Sequence, residues 1–152
     1  MLAKRLETYF TEASKHIELI EESLEVLKTP IVDYESLSQL EKFALNALIF
    51  RFSKLQDLIG AKIFRSFLEY SGFSTQGVSY FDILKEMEKE GIIDIDSWSE
   101  LRELRNTIAH EYPEENDEMV ESINLFIDRS HTLVEIANIL EKKFYETKAK
   151  RI

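Results

Sequence analysis

The chain has no cysteine, four glycines and two prolines in 152 residues. Without thiols there is no disulfide framework and no thiolate chemistry, and redox usage says nothing about compartment. So little glycine and proline argues against a turn-rich β-fold and suits long helices. Basic residues are in the minority too: 19 Lys and Arg stand against 29 Asp and Glu, a formal net charge of −10. Nonspecific nucleic-acid affinity comes mainly from Lys and Arg neutralising phosphates. The chain as a whole is therefore a poor general DNA or RNA binder, and an RNA substrate would need positive charge gathered locally. No apolar run approaches the roughly 20 residues of a membrane-spanning helix. The opening MLAKRLETYF lacks the apolar stretch of a signal peptide. These absences lead to the expectation of a cytoplasmic protein with no membrane contact.

Known reaction signatures are missing as well. There is no phosphate-binding loop, no GxSxG and no HExxH. His16, His110 and His131 fall on three different expected helices and in no ligand spacing, so neither a metal nor a cofactor is expected.

What remains is the composition of one soluble domain, 44% hydrophobic and 32% charged, expected to span 1–152. Leu6, Phe10, Ala13, Ile17, Ile20, Leu24 and Leu27 recur in steps of three and four, which predicts a first helix from about Ala3 to Lys28. Asp33 is the expected cap of a second helix that continues to about Tyr70. That helix is apolar on more than one face, so it is either central in a bundle or shared with another subunit. Gly60 interrupts it and signals close packing or a bend. Arg51, Lys54, Lys62 and Arg65 fall within roughly an 80° sector of a regular helix. They form either a basic stripe beside a phosphate-binding groove or a solvated face whose side chains run along apolar neighbours.

Ser71 to Val78 is the one Gly/Ser-rich break and the expected flexible loop. Ser79 with Asp82 opens a short third helix that ends at Gly91, and Ser97 with Glu100 opens a fourth. A last long helix comes after Pro113 and runs to about Lys148. With no period-2 strands and no repeats, the pattern predicts an all-α fold, an up-and-down bundle of four to five helices.

The fourth helix carries the most informative stretch, LRELRNTIAHEYP. Arg105 is followed after four residues by His110, and after one more by Tyr112; Asn106 stands directly after the arginine. Pro113 disfavours helical geometry at Tyr112, so the helix is expected to end near His110. An Arg-x4-His-x-Tyr element inside a small all-helical chain resembles the HEPN superfamily, and within it the HepT-like toxins. The resemblance extends to the layout: two long helices, a short third, the motif helix and a long last one. It implies a metal-independent ribonuclease, the toxin of a toxin–antitoxin pair, with two motif copies facing each other across a homodimer. It implies as partner a minimal nucleotidyltransferase antitoxin that silences the toxin by attaching AMP to the tyrosine matching Tyr112.

The residue chemistry agrees with that implication. Histidine takes or gives a proton near neutral pH, which suits His110 to act on a 2′-hydroxyl. The permanently charged fork of Arg105 suits phosphate oxygens. Asn106 lies one turn before His110 and can orient the ring or the phosphate. Arg105 and His110 are about 140° apart around a regular helix, so one copy of the motif does not converge by itself. Arg102, together with Arg51 and Lys54, would add RNA-binding charge. Structural readings stand beside these. Arg105 or Arg102 can pair with a nearby carboxylate, His110 can cap helix carbonyls, and Tyr112 can pack at the helix junction. A second functional class is also open, a non-catalytic accessory subunit that binds substrate for a nucleotidyltransferase. A third reading is a scaffolding bundle.

Overall fold

In the computed structural model, which describes residues 1–28, 30–110 and 116–151 (108–110 and 116 by backbone alone), every regular element is helical. The order is α1 (Leu2–Val26), α2 (Gln39–Leu58), a π turn (Ile59–Ile63), α3 (Phe64–Tyr70), α4 (Tyr80–Lys89), α5 (Ile95–His110) and α6 (Asn116–Lys150). The π turn joins α2 and α3 without a break, so the described residues form five rods packed as a helical bundle. No described helix is long and apolar enough to cross a membrane.

α1 buries Leu6, Phe10, Ala13, His16, Ile20 and Ser23. The inner stripe differs by one position from the expected one: His16 and Ser23 take the core side while Ile17 and Leu24 are only partly buried. Ser23 manages this by donating to the Leu19 carbonyl at 2.9 Å, and His16 by facing Arg51, its Nδ1 lying 3.2 Å from Arg51 Nη1. Burial first, then the Arg51 charge, holds the His16 pKa below its ordinary value, with only Glu12 acting in the opposite direction.

α2 starts later than its sequence suggests. Ser38, not Asp33, is the cap: its hydroxyl accepts from the Glu41 N–H at 3.1 Å, and Glu41 Oε1 accepts from the Ser38 N–H at 3.0 Å. Asp33 instead closes a local turn, accepting from the Ser36 hydroxyl at 2.7 Å. The turn is pinned to α6, since Asn124 exchanges two 2.9 Å hydrogen bonds with the backbone of Ile31. The inner face of α2 packs against α1, α5 and α6. Its outward face leaves Leu40, Phe43 and Phe50 exposed, at 64%, 60% and 52%.

At the π turn the Phe64 N–H bonds the Ile59 carbonyl, five residues back. One extra residue in a turn rotates the downstream side chains by roughly 100° relative to an unbroken helix. Lys62 and Arg65 therefore leave the sector they would share with Arg51 and Lys54 on a regular helix. Arg51 meets His16, Lys62 sits 5.8 Å from the Tyr9 ring centroid, and Arg65 donates to the carbonyls of Thr75 and Val78 at 2.8 and 3.3 Å. Those last bonds anchor the middle of the Gly/Ser-rich loop, whose Thr75 is buried.

α4 and α5 are the scaffold of the motif. Ser79 caps α4 through the Asp82 N–H at 3.2 Å. At its far end Gly91 has φ 74° and the Ile92 N–H returns to the Met87 carbonyl at 3.0 Å. Asp94, rather than Ser97, caps α5: its carboxylate accepts from the Ser97 N–H at 3.2 Å and hydroxyl at 2.9 Å. Trp98, Leu101 and Leu104 form the buried face of α5. From α6, Arg129 holds Glu100 through Nε at 3.0 Å and Nη2 at 2.8 Å. At the other end of α6, Lys148 pairs with Glu7 of α1.

Candidate functional site

Burying Trp98 and Leu101 turns the opposite side of α5 outward, leaving Arg102 and Asn106 exposed and Arg105 half-buried. Arg105 reaches across to α2, where it grips Asp57 with both terminal nitrogens, Nη2 to Oδ2 at 3.1 Å and Nη1 to Oδ1. The Asp57 side chain is more than half exposed. Exposed ion pairs contribute only about 0.2–1 kcal/mol. The Arg105 guanidinium is thus aimed by Asp57 yet can be taken over by a competing oxyanion.

Beside this pair a cleft of about 260 Å³ opens between the π-turn end of α2 and α5. Arg102 and Arg105 form one rim and Asp57 the other, while Gln56, Gly60 and Trp98 lie inward. The charges of these lining groups sum to one net positive, in a chain that is strongly negative. Tyr80 closes one wall. Its hydroxyl accepts from Trp98 Nε1 at 3.1 Å, and the Arg102 guanidinium carbon stands 5.5 Å from its ring centroid. Trp98 is wedged in place by Phe64, with ring centroids 4.9 Å apart.

A side chain at position 60 would force its neighbours to shift. A Cβ would come within 2.8 Å of the Tyr80 hydroxyl oxygen and 3.0 Å of Trp98 Cζ2. The absent side chain is what lets the Tyr80–Trp98 pair close over the π turn.

Gln56 is the anomaly of the cleft. It is 3% exposed, and neither its amide nitrogen nor its amide oxygen has a hydrogen-bond partner among the described residues. A buried polar group left unpaired costs about 1–3 kcal/mol. Gln56 is the only described side chain with this feature.

The structure thus brings Arg102 and Arg105 to one rim and leaves Asn106 exposed on the next position of α5. The backbone of His110 belongs to the last turn of α5, about 7.5 Å along the axis from Arg105. The His110 side chain lies outside the described residues, as does all of Tyr112. Arg51 and Lys54 stand apart from the cleft, with their cationic groups 5.2 and 5.5 Å from the Phe50 ring centroid. Among the described residues no group of three or more His, Asp or Glu side chains is gathered to hold a metal ion.

Gln56, Asp57 and Tyr80 escaped the sequence reading. The signal was there in part, because Gln56 interrupts an otherwise apolar inner stripe of Phe52, Leu55, Ile59 and Ile63 four residues before Gly60. Comparison with protein families, with curated proteins and with solved structures finds no match to this chain.

Proposed function

We propose that this protein is a homodimeric, metal-independent endoribonuclease of the HEPN type, with an up-and-down HEPN-like bundle as its scaffold. The observation that carries the reading is the placement of Arg105. The arginine of the Arg-x4-His-x-Tyr motif stands at the rim of an open cleft, held by an exposed Asp57 and flanked by a second cation, Arg102. A phosphodiester can displace Asp57 from the guanidinium at little cost.

In the proposed reaction His110 takes the proton from a ribose 2′-hydroxyl, and the 2′-oxygen attacks the adjacent phosphorus. The bond to the 5′-oxygen breaks, and that oxygen leaves with a proton. The products are a 2′,3′-cyclic phosphate and a 5′-hydroxyl. Arg105 stabilises the charge on the phosphoryl oxygens, and Asn106 orients the phosphate or the imidazole. Because Arg105 and His110 diverge around α5, a second copy supplies the complementary group. The outward stripe of α2 supports such a pairing. Phe43, Ala47, Phe50, Lys54 and Asp57 recur in steps of four and three and are all exposed. The stripe runs directly into the partner of Arg105, so a copy seated on it lies beside the motif helices. Attachment of AMP to Tyr112 by a partner nucleotidyltransferase would add bulk and negative charge where RNA approaches.

Purified protein is expected to cut RNA in the presence of EDTA, and RNA carrying a 2′-deoxy sugar at the cleaved position is expected to resist. The buried, unpaired Gln56 favours a second reading, an accessory subunit that binds substrate for a nucleotidyltransferase. Unmodified protein that leaves every RNA intact would move the account to that reading.

A further inference from the structure

α1 and α6 run antiparallel, with Phe10 packed on Phe144 at a ring-centroid distance of 5.5 Å and Asn124 holding Ile31 just past the far end of α1. Between the two helices lie hollows of about 460 and 400 Å³ that meet at Glu21 and together follow α1 from Ser14 to Glu25. We infer that this groove receives a basic amphipathic helix of a partner protein, its apolar face on Ile17 and Leu24 and its cations on the Glu18, Glu21 and Glu25 edge. The groove shares no lining residue with the α2–α5 cleft or with the Phe43 and Phe50 stripe, so the inference stands whether or not the protein cleaves RNA.

The floor of the groove selects an apolar partner face. The apolar periodicity of α1 would bury Ile17 and Leu24, yet His16 and Ser23 take the core side and these two stay half-open. Leu24 lies in the groove beside Val134 of α6, and water is driven from such surface when an apolar face covers it. The rim selects positive charge. Glu18, Glu21 and Glu25 are exposed along one side of α1, Glu141 stands on the α6 side, and Lys142 is the one cation among the lining groups that is charged at neutral pH. None of these four carboxylates forms an ion pair with a described residue. Glu18 and Glu21 are three residues apart and Glu21 and Glu25 four, spacings at which like charges on a helix repel. Cations brought from outside relieve that repulsion. Nucleic acid and anionic lipid are repelled by the same rim, and a second copy of this chain brings the same acids with it. The basic end of α6 is occupied within its own chain, since Lys148 pairs with Glu7 and the Arg151 guanidinium carbon stands 4.2 Å from the Tyr70 ring centroid. From Ser14 to Glu25 the groove is roughly 17 Å long, which seats about three turns of a docked helix.

The probe is a fluorescent peptide of about 14 residues made of leucine and lysine, with the leucines at helical spacing on one face, titrated with the full-length protein. A scrambled peptide of the same composition, whose leucines share no face, separates groove docking from attraction to a negative chain. The amphipathic peptide is expected to bind at one saturable site per chain, more weakly as salt rises, and the scrambled peptide roughly tenfold or more weakly. Glu21→Lys with Glu25→Lys is expected to weaken binding by roughly tenfold and flatten its salt dependence. The melting temperature of that variant is expected to be unchanged or raised, because the new lysines stand three residues after Glu18 and Glu22. Glu35→Lys with Glu90→Lys alters the net charge equally at two exposed acids outside the groove, and is expected to leave binding within about twofold of the natural chain. No saturable binding, equal binding of the scrambled peptide, or an equal loss in the two double variants overturns the inference. So does a change in the protein's own assembly state on reversing Glu21 and Glu25, which would give the groove to a second copy of this chain.

Discussion

Arg105 of α5 and Asp57 of α2 face each other through two parallel contacts, Nη2 to Oδ2 at 3.1 Å and Nη1 to Oδ1, at the rim of the cleft. Asp57 both aims the guanidinium and competes for it. Asp57→Asn is therefore expected to tighten RNA binding at low salt and to steepen its salt dependence, by about 0.7 in the log–log slope if one further phosphate is engaged. The same change is expected to slow cleavage per bound complex, since the arginine is no longer held in one geometry. Binding titrations at two salt concentrations and single-turnover cleavage read the two effects. Looser binding in the variant would mean that Asp57 assists the ligand rather than competing with it.

The exposed stripe of α2 gives a prediction about assembly. Phe43 and Phe50 are exposed by 60% and 52%, so Phe43→Glu with Phe50→Glu removes little from the fold of one chain. Surface changes of this kind usually stay within about 0.5 kcal/mol each. Light scattering is expected to find the natural chain as a dimer and the double variant as a monomer, with the same helical circular dichroism. A variant that stays dimeric would place the interface elsewhere.

His16 predicts part of the pH dependence of stability. Its folded pKa lies below the unfolded value of about 6.5, chiefly through burial and next through Arg51, so the unfolded chain binds the proton more readily. Stability from this group is complete above about pH 6.5 and is lost as pH falls from there through the lowered folded pKa. Urea midpoints of the natural chain should drop between about pH 7 and pH 5.5, and His16→Gln should show a smaller drop over that window. Equal drops in both proteins would assign the loss to other groups.

Control by a partner is tested at Tyr112. Incubation with ATP and a cognate nucleotidyltransferase is expected to place one AMP on Tyr112, located by mass spectrometry, and to abolish RNA binding. An adduct found at any other tyrosine would sever the motif tyrosine from regulation.

Much of the fold was legible because helix periodicity and caps are local. The stripe of α1, shifted by one position in places, and the Ser79 cap arise from neighbours a few residues away. The start of α2 is not local in this sense: Asp33 and Ser38 are both competent caps, and the choice depends on Glu41 and on Asn124 pinning Ile31 from a distant helix. Of the two readings of Arg51, Lys54, Lys62 and Arg65, side chains running along apolar neighbours is the one that fits, and the π turn that changes their register was signalled by Gly60 only as a disturbance. For the site, Arg105 and Arg102 could be read from one helix. Asp57, Gln56 and Tyr80 could not, since they join those arginines only when α2, α4 and α5 pack.

The central claim is a cleavage site built from Arg105 of one copy and His110 of the other, and mixed dimers test it most directly. RNA cleavage is measured in EDTA for the natural chain, for His110→Ala, for Arg105→Ala, and for the two variants unfolded and refolded together. The account predicts that each single variant loses about 10²–10⁴-fold in rate. It also predicts that the mixture recovers a large part of the activity, because a mixed dimer contains one site with both residues intact. A natural chain that leaves RNA uncut, or a mixture as inactive as its parts beside an active natural chain, would contradict it.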